Sequence, residues 1–242
     1  MASDRPTIRK LEPLRPRGLR VLVHLDEGEP FEVTLEAIEL QRLGVGDPLP
    51  PDARRHLLEA DADVRVREAA LNLLSHRART RRELKTKLRQ KSFGAERIDA
   101  CLDRLEQRGL LDDEAVAAAF VRDRLRHRPR GKARLVSELR AKGVDVDTAS
   151  QTIDRVFDDE DASDTELASE SAEGWVRRQG AKIVEALAGP AGPDRDKAKR
   201  RLYGYLSRRG FRGDALTDAM ERATAVAREA TESSGASSRR GE

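Results

Sequence analysis

The chain has 242 residues, of which 38% are hydrophobic, only 3% aromatic and 38% charged. So few large apolar side chains exclude one large globular core and favour small helical units with broad solvated faces. No apolar run approaches the roughly 18 residues of a membrane span, the N-terminus lacks the apolar core of a secretory signal, and the single cysteine, Cys101, excludes a disulfide framework and fits a reducing, cytoplasmic compartment.

Residues 1–62 read differently from the rest. Ile8-Arg9-Lys10-Leu11 and Leu19 to Leu25 alternate apolar with polar side chains, Asp26-Glu27-Gly28-Glu29 is a turn signal, and Phe31-Glu32-Val33 alternates again. This predicts a β-hairpin or three-stranded meander. Thr34 is placed to open a short helix carrying Leu35, Ile38 and Leu40. After the Gly44-Val45-Gly46-Asp47-Pro48 loop, Pro50-Pro51-Asp52 prepares a helix start. A module this small cannot bury much alone, so it is expected to pack on the first helices or stay loosely attached.

From residue 63 the pattern becomes helical, and one unit is written three times. The copies begin at Arg81, Lys132 and Lys199 and align without gaps. Leu84, Leu135 and Leu202 correspond, as do Leu88, Leu139 and Leu206; then Phe93, Val144 and Phe211; then Ile98, Ala149 and Leu216; then Leu102, Ile153 and Met220. Apolar positions recur while polar ones drift, as in a repeated structural unit. The four-residue spacing predicts two helices, joined by a turn in which Gly143 and Gly210 stand where a helix C-terminus needs positive φ. Ser92 takes that place in the first copy. Cys101 falls on the apolar face and is expected to be a small buried hydrophobe.

An apolar-periodic segment precedes each pair, so three three-helix units are expected, at 63–111, 112–160 and 161–230. Thr80 and Glu83 form a capping-box pattern, and Asp112-Asp113-Glu114 supplies an N-cap and an acidic first turn. Asp158 to Glu173 reads as an acidic linker plus a helix start. The third unit is expected to open with one long helix carrying Trp175, Val176, Ile183, Val184 and Leu187, followed by turn chemistry in 188–193. Residues 231–242 read as a disordered tail. The fold class expected is mainly α: three tandem three-helix repeats behind a small N-terminal β-hairpin module.

The chemical signal is basic and recurs at equivalent places. Arg77 to Lys91 holds eight Lys/Arg against one acid; Arg122 to Arg134 and Arg195 to Arg209 each hold seven against one. Each cluster surrounds the entry to the repeated helix, and three in register predict a basic stripe suited to phosphate. The residues nominated are Arg81, Arg82, Lys85 and Arg89 in the first unit, Arg130, Lys132, Arg134, Arg140 and Lys142 in the second, and Arg200, Arg201, Arg208 and Arg209 in the third. No catalytic residue is nominated. Gly44-Val45-Gly46 lacks the lysine and helix of a phosphate loop, and the four histidines are scattered without ligand spacing. No enzyme, metal or cofactor is expected.

At this point the chain resembles a family. RGLLDDEAVAAAFVRDRL from Arg108 resembles the hallmark segment of the RecX regulatory proteins, and RTRRELKTKL and GKARLVSELRAKGV resemble that family's first and second repeat motifs. The resemblance covers roughly residues 5 to 228. Ser92, in place of the usual Gly, and the lengthened third unit are departures. The resemblance implies a monomeric array of three-helix repeats that lies in the groove of a RecA–DNA filament. It also implies modulation, usually inhibition, of recombinase ATPase, strand exchange and co-protease activity; the Lys/Arg surplus without a readable base-contact set adds an expectation of weak, non-specific binding to single- and double-stranded DNA, and no membrane contact is expected. The alternative is a helix-turn-helix-like protein acting on DNA directly.

Overall fold

The computed structural model describes residues 6–14 and 19–238, with side chains as far as residue 233. It divides into two compact units, Met1–Leu111 and Asp112–Glu242.

The first unit opens with an antiparallel three-stranded meander, β1 (Ile8–Pro13), β2 (Arg20–Leu25) and β3 (Phe31–Thr34). Val21 pairs with Val33 and Leu11 with Val23, and a register shift interrupts β1 between Ile8 and Lys10. The Gly44–Asp47 loop is tied back to β1 by hydrogen bonds from Gly46 N–H to the Ile8 carbonyl and from Ile8 N–H to the Asp47 carbonyl. Helix α1 (Leu35–Leu40) is capped by Thr34, whose hydroxyl accepts from Ala37 N–H at 3.3 Å. Only Ala37 and Ile38 of α1 are buried; Leu35 and Leu40 face outward because so short a helix has room for one buried stripe.

Helix α2 (Pro51–His76) corrects the expected boundary at 62/63, which falls inside it. Its first half sends Leu57 into the core of the β module, beside Ile8, Val23, Val33 and Leu49. Its second half sends Val66 and Ala70 into the core of the first repeat, beside Leu84, Leu88, Ile98 and Leu102. Between the two, buried Asp61 ties α2 to the end of β3 by accepting Thr34 N–H at 2.6 Å. Helices α3 (Arg81–Gln90) and α4 (Ala95–Gln107) complete that repeat. Thr80 caps α3, accepting Glu83 N–H. Cys101 is 3% exposed, and burial pushes its thiol pKa up, as expected of a core residue.

The second unit begins with α5 (Asp113–His127), capped by Asp112, then α6 (Lys132–Lys142) and α7 (Val146–Asp159). Their core gathers Val121, Leu135, Leu139, Val144, Ile153 and Phe157. Only residues 160–163 link α7 to α8 (Asp164–Arg177), so most of the expected acidic linker is helix. The single long helix expected next is broken at Gly180, where α9 (Ala181–Ala188) starts. With α10 (Pro193–Arg208) and α11 (Gly213–Ser238), the third repeat therefore has four helices rather than three. The break lets α8 and α9 share one core, Trp175 and Val176 from the first and Leu187 from the second packing with Leu202, Leu206 and Phe211. Residues 231–238, expected in a disordered tail, continue α11; 239–242 lie outside the described residues.

The repeated turn has one backbone shape in all copies. Ser92, Gly143 and Gly210 take φ of 65°, 97° and 93°, and the residue after each turns inward. Val144 and Phe211 are buried there, and Phe93 is partly so.

Candidate basic interface

Each repeat segregates its charge. The first helices of the repeated pair, α3 and α6, are rich in Lys and Arg, whereas the second carry exposed carboxylates: Glu96, Asp103 and Glu106 on α4, and Asp147, Asp154, Asp158 and Asp159 on α7. Opposite charge on adjacent helices draws part of the basic set inward. Arg81 bonds Asp103 at 2.7 Å and Glu106 at 2.6 Å; Lys132, its counterpart one repeat on, bonds Asp154 at 2.6 Å. In both repeats the partner lies 22 residues downstream. Burial alone would lower the Arg81 pKa, but its hydrogen bonds to the two carboxylates raise it overall. Lys85 pairs with Asp99 and, by that hydrogen bond, holds its carboxyl below the ordinary range. These cations, nominated as a solvent-facing stripe, are clamps within their own repeats.

Lys132 has two further attachments. Its ammonium stands 4.9 Å from the centre of the Phe157 ring, and its backbone N–H donates to Asp164 of α8 at 3.1 Å. Burial raises the Asp164 pKa. Gly131 offers α6 no side-chain cap, so Asp164 serves in its place.

Arg134 is half committed. It bonds Glu138 at 2.8 Å, and Arg124 bonds the other oxygen of the same carboxylate at 3.1 Å. Burial pushes the Glu138 pKa up, but the hydrogen bonds from Arg134 and Arg124 outweigh it and hold the carboxyl below its ordinary value. Lys142 lies over the Phe120 ring.

Six of the other nominated cations are uncommitted. The side chains of Arg82, Arg89, Arg140, Arg200, Arg201 and Arg208 are exposed and have no ion-pair or hydrogen-bond partner among the described residues. Two pairs occupy matching register positions: Arg82 and Arg200 each stand two residues before the first repeat leucine, and Arg89 and Arg140 one residue after the second.

Within the second unit, the basic clusters of the second and third repeats converge. Gly131 N–H donates to the Arg209 carbonyl at 2.9 Å, and the Arg209 guanidinium donates to the Pro129 carbonyl at 3.2 Å while stacking 4.6 Å over the Tyr205 ring. This brings Arg130, Arg134, Arg208 and Arg209 together. Arg124 and Arg212 join them, and neither was nominated from sequence. Arg200 and Arg201 lie at the middle of α10, Arg201 facing α9. Among the described residues no group of three or more His, Cys, Asp or Glu is arranged to hold a metal, and no helix is long and apolar enough to cross a membrane.

Family comparison accords with this repeat structure. Residues 67–105 match the family model for the RecX first three-helix domain, and residues 112–153 that for the second. The chain is 36% identical over 153 residues to the regulatory protein RecX of Mycobacterium sp. (strain JLS), covering 63% of this chain and 78% of the relative. The chain belongs to the RecX family. Similarity to the RecX protein of Clostridium botulinum (strain Alaska E43 / Type E3) is lower, 27%, but extends over 89% of this chain and 95% of that one. A crystal structure of a regulatory protein RecX superposes with a TM-score of 0.67 at 24% identity, covering 88% of this chain and 99% of that one. RecX from Lactobacillus salivarius superposes with a TM-score of 0.55 at 22% identity, over 68% and 97%. These two structures share the fold, so the RecX architecture extends beyond the two matched domains.

Proposed function

We propose that this RecX protein is a non-catalytic regulator that docks on a RecA–DNA filament through its uncommitted arginines and inhibits recombinase ATP hydrolysis, strand exchange and co-protease activity. One observation carries the reading. Once the ion-paired cations are set aside, unpaired arginines remain at matching register positions of different repeats: Arg82 with Arg200, and Arg89 with Arg140. Nothing in the fold requires these residues to be basic. A partner with its own regular repeat, such as a filament, rewards a regularly repeated contact. Weak sites on one chain then add through effective concentration.

Direct reading of DNA by the second helix of each repeat is disfavoured by charge. The exposed faces of α4 and α7 carry the carboxylates described above, and these repel phosphates on entering a groove. Contact through α3, α6 and α10 has no such obstacle.

The test is co-sedimentation with recombinase filaments on single-stranded DNA while ATP hydrolysis is followed. Wild-type protein should pellet with the filament and slow hydrolysis. The Arg82→Ala/Arg89→Ala and Arg140→Ala/Arg200→Ala variants should fold normally, because surface substitutions seldom cost much stability, yet bind about tenfold more weakly as linked sites lose avidity together. Wild-type inhibition by both variants would remove the basis for the proposal.

A further inference from the structure

Where the second and third repeats meet, the arginines enclose an open pocket of about 430 Å³. Arg130, Arg134, Arg208 and Arg212 line it, with Ser137 and Ser207. Among the described residues no carboxylate lines it. The acid that acts on Arg130, Glu138, already accepts from both Arg134 and Arg124. Arg130 shows the resulting imbalance. Its Nε–H is shielded from solvent and has no hydrogen-bond partner. Its pKa is lowered by burial, and further by Arg209, Arg134 and Arg124 around it. A shielded donor without a partner normally costs stability, and several like charges at one place add repulsion. Both are relieved by an anion that accepts several hydrogen bonds at once.

Two glycines make the enclosure possible. A Cβ on Gly131 would stand 2.5 Å from the Gly210 carbonyl oxygen, and one on Gly210 would stand 2.5 Å from Arg134 N. Only bare backbone lets the entry to α6 and the turn after α10 approach this closely. The approach brings Arg130 and Arg134 from one repeat against Arg208 and Arg212 from the next.

We propose that this pocket is a phosphate-binding site that grips the backbone phosphate of a nucleic-acid strand. The guanidinium fork matches phosphate oxygens, and the serine hydroxyls add neutral donors. A side-chain carboxylate from a protein partner fits less well, since its two oxygens cannot take up the forks of Arg130, Arg208 and Arg212 together. The proposal deepens the reading of the arginines as an anion-facing surface and rests on it, assigning the DNA part of that contact to one place.

The experiment measures binding of a short fluorescent single-stranded oligonucleotide of mixed sequence to the full chain at fixed ionic strength, by anisotropy. Three variants are compared after circular dichroism has confirmed their helicity. Arg130→Gln/Arg212→Gln should weaken binding by about tenfold or more, as loss of charged hydrogen bonds does. Arg82→Gln/Arg89→Gln removes the same charge from the first unit and should cost only about twofold to threefold. Gly131→Ala alters no charge, and its φ of −68° suits alanine. It should nevertheless weaken binding like the pocket variant, by forcing the two backbones apart.

Equal losses from the two charge variants, or wild-type affinity in Gly131→Ala, would overturn the pocket. A filament still regulated by the pocket variant but not by the first-unit variant would leave the proposed function standing without it. Pyrophosphate competes in a parallel arm. Displacement of the oligonucleotide at millimolar pyrophosphate supports a phosphate site; tighter binding of pyrophosphate than of the oligonucleotide would assign the pocket to a small phosphate compound and overturn the nucleic-acid reading.

Discussion

The turn shared by the repeats offers a direct test of the backbone energetics. Ser92, Gly143 and Gly210 occupy one position with φ of 65°, 97° and 93°. An L-residue in the left-handed region costs about 1–2 kcal/mol, and glycine's greater freedom in the unfolded chain offsets about 0.4–1 kcal/mol of the relief it brings. Ser92→Gly should therefore stabilise the first unit by about 0.5–1 kcal/mol, a rise of roughly 1–4 °C in Tm for a chain of this size. Gly143→Ser runs the exchange backwards and should cost about 1 kcal/mol. Gly210→Ser adds overlap with the Arg134 backbone, 2.5 Å from its Cβ. Overpacking of that kind typically costs about 1–3 kcal/mol more. The assay is urea denaturation followed by circular dichroism, with amide exchange on α3 and α4 to localise the Ser92→Gly effect. A neutral or destabilising Ser92→Gly would refute the conformational argument. A Gly210→Ser no worse than Gly143→Ser would refute the close approach.

Two further outcomes are expected. Leu102→Ala and Leu139→Ala, both at fully buried positions, should each lower stability by about 2–5 kcal/mol; a wild-type urea midpoint in either would show that side chain to lie outside its core. Glu138 has a folded-state pKa below its ordinary 4.5, so the stability it contributes is present above that value and lost as pH falls through the lower, folded one. The gap in urea midpoint between wild type and Glu138→Gln should accordingly be widest at neutral pH and shrink as pH falls below 4.5 through the lowered folded-state pKa; a gap that does not shrink on acidification would exclude the pairing with Arg124 and Arg134.

Much of the fold was legible in the sequence because apolar spacing and turn residues act locally. Leu84, Leu88, Leu135, Leu139, Leu202 and Leu206 are all fully buried, and Thr80, Asp112 and Thr34 cap the helices they precede. The break at Gly180 was hidden because Val176 and Ile183 lie seven residues apart, so the apolar stripe stays in phase through it. The continuity of α2 was hidden by Asp61, a polar residue turned inward to serve Thr34. The basic interface was legible only as composition. Which arginines are spent on ion pairs depends on which carboxylates of the neighbouring helix they meet. The Arg81–Asp103 and Lys132–Asp154 pairs share a spacing, but nothing in that spacing says that the helices cross there. Arg212 joins the pocket through a contact between repeats that has no local signature.

Helix α2 has a mechanical consequence. At 1.5 Å per residue, its 26 residues form a rod about 39 Å long. There is no proline or glycine after its first residue to act as a hinge. One end is anchored in the β module by Leu57 and the other in the first repeat by Val66 and Ala70. A pull or twist applied to the sheet passes along the rod into the repeat instead of being absorbed by a linker. The sheet is therefore less an appended domain than a handle on the first repeat. Anything that grasps it moves α3 and α4 as well, and anything that unravels α2 from either end loosens both cores together.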